Sequence, residues 1–393
     1  MQDAVCQYKT DRAPVFKPKN AAEPLLAFSG GALVHFAVSN TAAEMCTRLA
    51  GLDTRFLPFN QGHAGGAGNP PNPAGIATDY LWQEVWQRDS LLQILGRYLV
   101  PVKNAKKQLV GWVLPRYHQL TVTRQLVAAV TRDGPGGKYL VQHSAGSGKT
   151  NSIAWTAHLL ADLHRPGNDG QDQKVFDTVI VVSDRTVLDD QLREAIMAFE
   201  RTQGVVAVIT GDGASKSKEL AEALHAGKKI VVCTVQTFPF ALDEVRKLAA
   251  TQGKRFAVIV DEAHSSQTNE TAAKLKLVLS AAEMAELGDG GGVSAEDILA
   301  AQMAAKAGDD ADGEGQAGIT YVAFTATPKD KTLQLFGTRP DPTRKPAADN
   351  IPAPCHVYSM RQAIEEGFIL DVLKTRNVTR RVVVVPGSFL NLQ

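Results

Sequence analysis

No run of about 18 apolar residues occurs in the 393-residue chain, so no transmembrane helix is predicted. The opening MQDAVCQYKTDRAP lacks the apolar stretch of a secretory signal. Cysteine is scarce: Cys6, Cys46, Cys233 and Cys355 stand alone, with no CxxC pair. That excludes a disulfide mini-scaffold, and neither a zinc knuckle nor a redox pair is indicated. A cytoplasmic protein with reduced thiols is the expectation. There is no internal repeat. With 44% apolar and 21% charged residues, global disorder and a collagen-like fibre are excluded as well.

An excess of one charge sign is also missing, since the formal net charge is +1. The balance hides an asymmetry. Segment 283–318 holds Glu283, Glu286, Asp289, Glu296, Asp297, Asp309, Asp310, Asp312 and Glu314 against the single basic residue Lys306, a net of −8. The remainder is therefore +9. A basic body with one acidic insertion suits a polyanionic partner such as nucleic acid, and suits plain solvated surface charge too.

What is present is a regular alternation. Near-continuous apolar runs predict buried strands at 138–142 (KYLVQ), 178–183 (TVIVVS), 204–210 (GVVAVIT), 229–235 (KIVVCTV), 256–260 (FAVIV) and 320–326 (TYVAFTA). Between them Ile153, Ala157 and Leu160, and likewise Leu188, Leu192, Ile196 and Phe199, recur at helical spacing. Strand–helix alternation predicts a parallel α/β sheet with helices on both faces.

The flanks are less regular. The Gly/Pro-rich stretch 62–76 reads as a linker. Residues 77–100 read as connecting helices, with Asp89 a candidate N-cap ahead of Leu92, Leu95 and Leu99. Trp82 and Trp86 suit packing between domains better than base stacking. In residues 1–61, ALVHFAV (32–38) and TRFLPF (54–59) predict strands, with a helix near Thr41–Leu49 between them. This is too little chain for a large independent core. The acidic insertion 283–318 predicts at most a short helix near Ala295–Ala305.

Three motifs carry chemistry. SAGSGKT, from Ser144 through Ala145, Gly146, Ser147, Gly148 and Lys149 to Thr150, follows a predicted strand and opens a predicted helix. Glycines let backbone N–H groups approach a phosphate chain, and the helix N-terminus adds its positive dipole end. Lys149 can reach the β- and γ-phosphates, and the Thr150 hydroxyl can ligate Mg²⁺. His143 stands where the strict motif has its first glycine. DEAH, Asp261 to His264, follows the strand FAVIV: Asp261 can hold Mg²⁺ and Glu262 can polarise a water. FTATP, Phe324 to Pro328, ends a third strand. Its hydroxyls, Thr325 and Thr327, suit nucleotide sensing and an ordinary strand end equally.

In this order the three motifs resemble the first motor lobe of superfamily 2 helicases and translocases. The flanking text PRYHQL (115–120), LVQHSAGSGKTNSIAW (140–155), TVIVVSDRTVLDDQL (178–192), VVCTVQTFPF (231–240), IVDEAHSSQ (259–267) and AFTATPKDKTLQLFG (323–337) resembles the motor–nuclease (R) subunit of type I restriction–modification enzymes. HFAVSN, TRLAGLDTRFLPFNQG and AIEEGFILDVL resemble it also, and the likeness covers most of residues 30–373.

The resemblance implies a RecA-like P-loop NTPase lobe over 101–345, a nuclease-domain remnant over 1–61, and a connection to a second lobe from 346 to 393. It implies ATP and Mg²⁺ as cofactors. Gln119 would contact the adenine edge, His143 with Ser144–Thr150 would cradle the triphosphate, and Lys149, Asp261 and Glu262 would serve catalysis. His264, Thr325 and Thr327 would couple hydrolysis to motion. Arg185, Thr234, Gln236 and Thr237 would touch the DNA backbone, although a surface salt bridge explains Arg185 as well. The partners implied are double-stranded DNA and the methyltransferase and specificity subunits. The activity implied is that of an ATP-dependent site-specific deoxyribonuclease.

Two departures qualify this. Residues 1–60 show no Asp…Glu-x-Lys constellation of a PD-(D/E)xK nuclease, and the family-like text ends near Leu373, before a second lobe. The expectation is a truncated or frame-disrupted product with little cleavage of its own. Two other readings stand beside it: a generic DEAH-box helicase or chromatin-type remodeller, and a non-catalytic ATP-binding remnant that docks to the methyltransferase complex.

Overall fold

In the computed structural model, residues 1–12, 23–167, 170–183, 186–200, 202, 204–209, 216–234, 237–261, 318–341, 344, 347 and 349–371 are described. In chain order the N-terminal part contains α1 (Gln2–Cys6), β1 (His35–Val38), β2 (Ala43–Cys46), β3 (Leu57–Pro58), α2 (Arg88–Gln93), β4 (Val100–Lys103) and β5 (Leu109–Val113). The lobe follows with α3 (Tyr117–Asp133), β6 (Lys138–His143), α4 (Lys149–Ala161), β7 (His164–Pro166), β8 (Asp172–Lys174), β9 (Thr178–Ser183) and α5 (Thr186–Ala198). Then come β10 (Val206–Val208), α6 (Lys216–His225), β11 (Ile230–Thr234), α7 (Phe238–Gln252), β12 (Phe256–Asp261), β13 (Ile319–Thr325), α8 (Asp330–Phe336), β14 (His356–Tyr358) and α9 (Met360–Glu365).

All six expected apolar runs are strands of one seven-stranded sheet in the order β10-β11-β9-β12-β13-β6-β14. Every pairing in it is parallel. Strand side chains alternate between faces, and both faces are covered, which is why the runs lack polar alternation. Val141, Val179, Val181, Ile259 and Phe324 face a core with Leu126, Ile153, Trp155 and Ile196 from α3, α4 and α5. Leu140, Ile180, Val182, Val258 and Tyr321 face the opposite core with Leu224, Val245 and Phe336 from α6, α7 and α8. The α/β class with helices on both faces is as expected.

The flanks differ from expectation. The segment expected to be helical near Thr41–Leu49 contains β2, paired antiparallel with β1 from His35↔Cys46 to Val38↔Ala43. A tight polar turn decides this. Ser39 N–H donates to Ala42 O at 2.9 Å, Ser39 Oγ accepts from Ala42 N–H at 3.1 Å, and Asn60 Oδ1 accepts from Ala43 N–H at 2.9 Å. Those bonds favour a hairpin over a helix start. Asp89 lies inside α2, whose N-cap is Gln87. Leu92 is 57% exposed, while Ile94 and Tyr98 are buried in its place. The chain there winds through wide π-type turns at Leu81–Val85 and Ile94–Tyr98, which shift the buried face.

The glycine-rich stretch 62–76 is folded onto the rest of the chain. His63 and Gly66 bridge each other, Asn69 Nδ2 donates to Thr41 O and Asn60 Oδ1, and Ala67 N–H donates to Glu365 Oε2 at 2.7 Å. Trp86 packs edge-on against Phe36 at 5.2 Å, the packing role expected of it, while Trp82 leans on Trp86 and stays half exposed. The lobe also runs beyond residue 345, since β14 pairs with β6 and completes the sheet.

Candidate functional site

The site lies at the carboxyl edge of the parallel sheet, where open α/β sheets bind ligands. β6 runs into the loop Ser144–Gly148, and α4 starts at Lys149. Gly146 and Gly148 both sit at φ +73°, in the left-handed region that favours glycine. Among the described residues no protein acceptor takes the N–H groups of Ala145, Gly146 or Gly148. Ser147 Oγ is buried without a hydrogen-bond partner. Such a loop, closed by a helix N-terminus, fits an anionic phosphate group. Lys149 and Thr150, the first two residues of α4, are half-buried beside it.

The strand register brings the other motifs alongside. Asp261 on β12 pairs with Phe324 on β13, which pairs with Val141 on β6. Asp261 and the phosphate loop are thus one strand apart on one edge. Thr325 comes between them, fully buried, its Oγ1 without a hydrogen-bond partner. Thr327 is exposed just beyond. Among the described residues there is no cluster of three His, Cys, Asp or Glu side chains that could hold a metal. Thr150 and Asp261 suit Mg²⁺, which takes few protein ligands and keeps several waters. Glu262, His264, Arg185 and Gln236 lie outside the described residues. Thr234 ends β11 on the same edge, and Thr237 is buried with its Oγ1 3.2 Å from Thr234 Oγ1.

Two expected residues are engaged with protein. Gln119 is buried: its Oε1 accepts from Arg116 N–H at 2.9 Å, and its Nε2 donates to Gly148 O at 3.0 Å and Ser147 O at 3.3 Å. His143 is fully buried, its Nε2 2.9 Å from His356 Nδ1. Burial holds His143 and His118 well below the usual histidine range and pulls His356 down to about 4, so all three are neutral at physiological pH.

Sequence spacing gave no sign of the residues that back the loop. Ser144 N–H donates to Tyr358 O at 2.9 Å, and Ser144 Oγ donates to Ser359 O at 3.2 Å. Arg116 Nη2 donates to Gly146 O at 2.9 Å, with its guanidinium 4.0 Å from the centre of the Phe368 ring. His118 Nε2 lies 2.9 Å from Ser147 O. Tyr358, Ser359 and Phe368 come from β14 and the chain after it, too far along the sequence for any local pattern to reveal, while Arg116 and His118 stand at the start of α3, inside the stretch PRYHQL.

Residues 118–288, somewhat less than half of the chain, match the SWI2/SNF2 ATPase family. The match supports an ATPase domain of helicase type over that segment, a class of domain that uses ATP. It is broader than the resemblance to restriction subunits. No curated protein matches the chain. Among solved structures, T4 UvsW is similar at 11% identity over 61% of this chain and 34% of its own, with a TM-score of 0.32. A hypothetical ATP-dependent RNA helicase from Sulfolobus tokodaii is similar at 20% identity over 55% of this chain and 47% of its own, with a TM-score of 0.31. The chain thus spans less than half the length of either, and likenesses this weak carry no functional argument. Among the described residues no helix is long and apolar enough to cross a membrane.

Proposed function

We propose that the chain is the ATP-driven motor portion of a type I restriction (R) subunit, which moves duplex DNA before unmodified DNA is cut. The observation that carries the motor part of this reading is the shared sheet edge: the phosphate loop, Thr325 and Asp261 end three neighbouring parallel strands. Lys149 holds the terminal phosphates, and the loop N–H groups take their oxygens. Thr150 and Asp261 would hold Mg²⁺, which supplies charge neutralisation on the phosphates. Glu262, next in sequence to Asp261, orients the attacking water. Thr325 and Thr327, with His264, pass the state of the site to the DNA-facing surface. Thr234, Arg185, Gln236 and Thr237 would contact the DNA backbone, which positions the duplex without reading sequence. The flanking text from PRYHQL to AFTATPKDKTLQLFG supports the restriction subunit, with methyltransferase and specificity subunits as partners.

The SWI2/SNF2 match over residues 118–288 favours a second reading, a duplex-dependent motor of remodeller type that works without those subunits. One assay separates them: Mg-ATP hydrolysis by the purified chain, with and without linear duplex DNA, beside Lys149→Ala. DNA-stimulated turnover that Lys149→Ala abolishes supports a motor. Stimulation that requires methyltransferase and specificity subunits and unmodified DNA supports the restriction reading. Stimulation by DNA alone supports the second. Turnover that survives Lys149→Ala would overturn both.

A further inference from the structure

We infer that the turn Arg116–Gln119 clamps the carbonyl side of the phosphate loop, and that His118 and Arg116 are positioning residues of the nucleotide site. The inference rests on the ATP-site reading above. Three successive loop carbonyls are taken by three side chains of one short turn: Gly146 O by Arg116 Nη2, Ser147 O by His118 Nε2 and Gly148 O by Gln119 Nε2. In a trans peptide the C=O and the next N–H point to opposite sides of the chain. Holding the Ser147 and Gly148 carbonyls toward α3 therefore turns the N–H groups of Gly148 and Lys149 away from it, toward the open side of the loop, while the Ser147 N–H donates to Ser144 O within the loop at 3.3 Å. Oxygen only accepts at Ser147, so His118 must carry its proton on Nε2.

The clamp is itself held from behind. The His118 ring stacks on Tyr358 at 3.9 Å, with 27° between the planes. The Arg116 guanidinium lies over Phe368. Both side chains are more than nine-tenths buried, and Arg116 Nη1 is buried without a hydrogen-bond partner. An ordinary packing arginine at such cost is better placed on a surface; here its fork is spent on the loop. A loop whose donors are oriented before the ligand arrives binds without paying for that order on association.

The test compares three variants of the full chain for Mg²⁺-dependent binding of a methylanthraniloyl-labelled ATP, with thermal melting of each. His118→Phe keeps a ring against Tyr358 and removes the donor. His118→Gln returns a donor at similar reach. Lys149→Ala reports on the site itself. The clamp predicts roughly tenfold weaker binding in His118→Phe, the effect of one lost hydrogen bond, and recovery of most of it in His118→Gln. Equal loss in both would assign His118 to packing and overturn the clamp. Undiminished binding in His118→Phe, with binding lost in Lys149→Ala, would overturn it too and leave the ATP site standing. Undiminished binding in Lys149→Ala would overturn the ATP-site reading instead.

Discussion

At Gly148 two demands meet on one atom. The residue is at φ +73°, and a Cβ there would stand 2.7 Å from Gln119 Nε2 and 3.1 Å from Arg116 Nη2. Gly148→Ala would strain the backbone and push apart the side chains that hold the loop. The expected cost is about 1–2 kcal/mol of stability from the left-handed backbone alone. The larger expected effect is loss of the melting shift that Mg-ATP produces; a shift equal to that of the parent would rule the account out. The strand, loop and helix that carry the glycines, Lys149 and Thr150 were legible because they follow one another directly in sequence. His143 was not. Its position in the motif suggests a phosphate contact, whereas its ring is buried among His118, His356 and Phe324. Gln119 shows the same limit, since the motif names the residue while only the fold shows where its amide donates.

Between elements, the feature with the widest consequence is the place where α3, β6 and β14 meet. His118, His143 and His356 come there from three separate elements and are packed neutral. Unfolded histidine titrates near 6.5 and the folded groups lower, so in between the unfolded chain binds more protons and stability rises with pH. Glu366 works the other way: burial raises its carboxyl above 4.5, so its contribution is lost as pH rises through that raised value. Burial holds His35 low as well, so with four histidines against one carboxyl, acidification from about pH 7 to about pH 5.5 should lower the unfolding free energy by at most ~1.4 kcal/mol per pH unit for each histidine, and the urea midpoint with it. His356→Asn should flatten that slope, and urea titrations at both pH values that gave identical slopes for parent and variant would exclude the histidines as its source. β14 itself was not foreseen, because three residues, HVY, carry no periodicity to read. The hairpin β1–β2 was misread for a different reason: Thr41 to Leu49 has apolar spacing compatible with a helix, and the turn bonds of Ser39 and Asn60 override it.

At the scale of the whole molecule, composition suggested a boundary near residue 61 that the packing does not respect. Ala43, Met45 and Phe59 belong to the same core as Leu120, Val122, Val141 and Trp155. Phe59 is 1% exposed, with its ring edge-on to Tyr117 at 5.8 Å and to Phe36 at 5.4 Å, and its carbonyl accepts from Tyr80 Oη. Tyr117 opens α3, immediately before the histidine that holds Ser147 O. The N-terminal strands therefore support the first turn of α3, and through it the phosphate loop. Phe59→Ala should cost about 3–5 kcal/mol, as other buried phenylalanines do. If the shared core makes one cooperative unit, the tryptophans on both sides of it should report a single transition. Trp86 lies against Phe36 and Trp155 lies in the lobe, so site-selective hydrogen exchange at the two places should show protection falling together in the variant. ATP affinity should fall with them. Loss of protection confined to the N-terminal strands, with α3 and nucleotide binding untouched, would mean that the shared core is a contact between independent units and that the loop stands on the lobe alone.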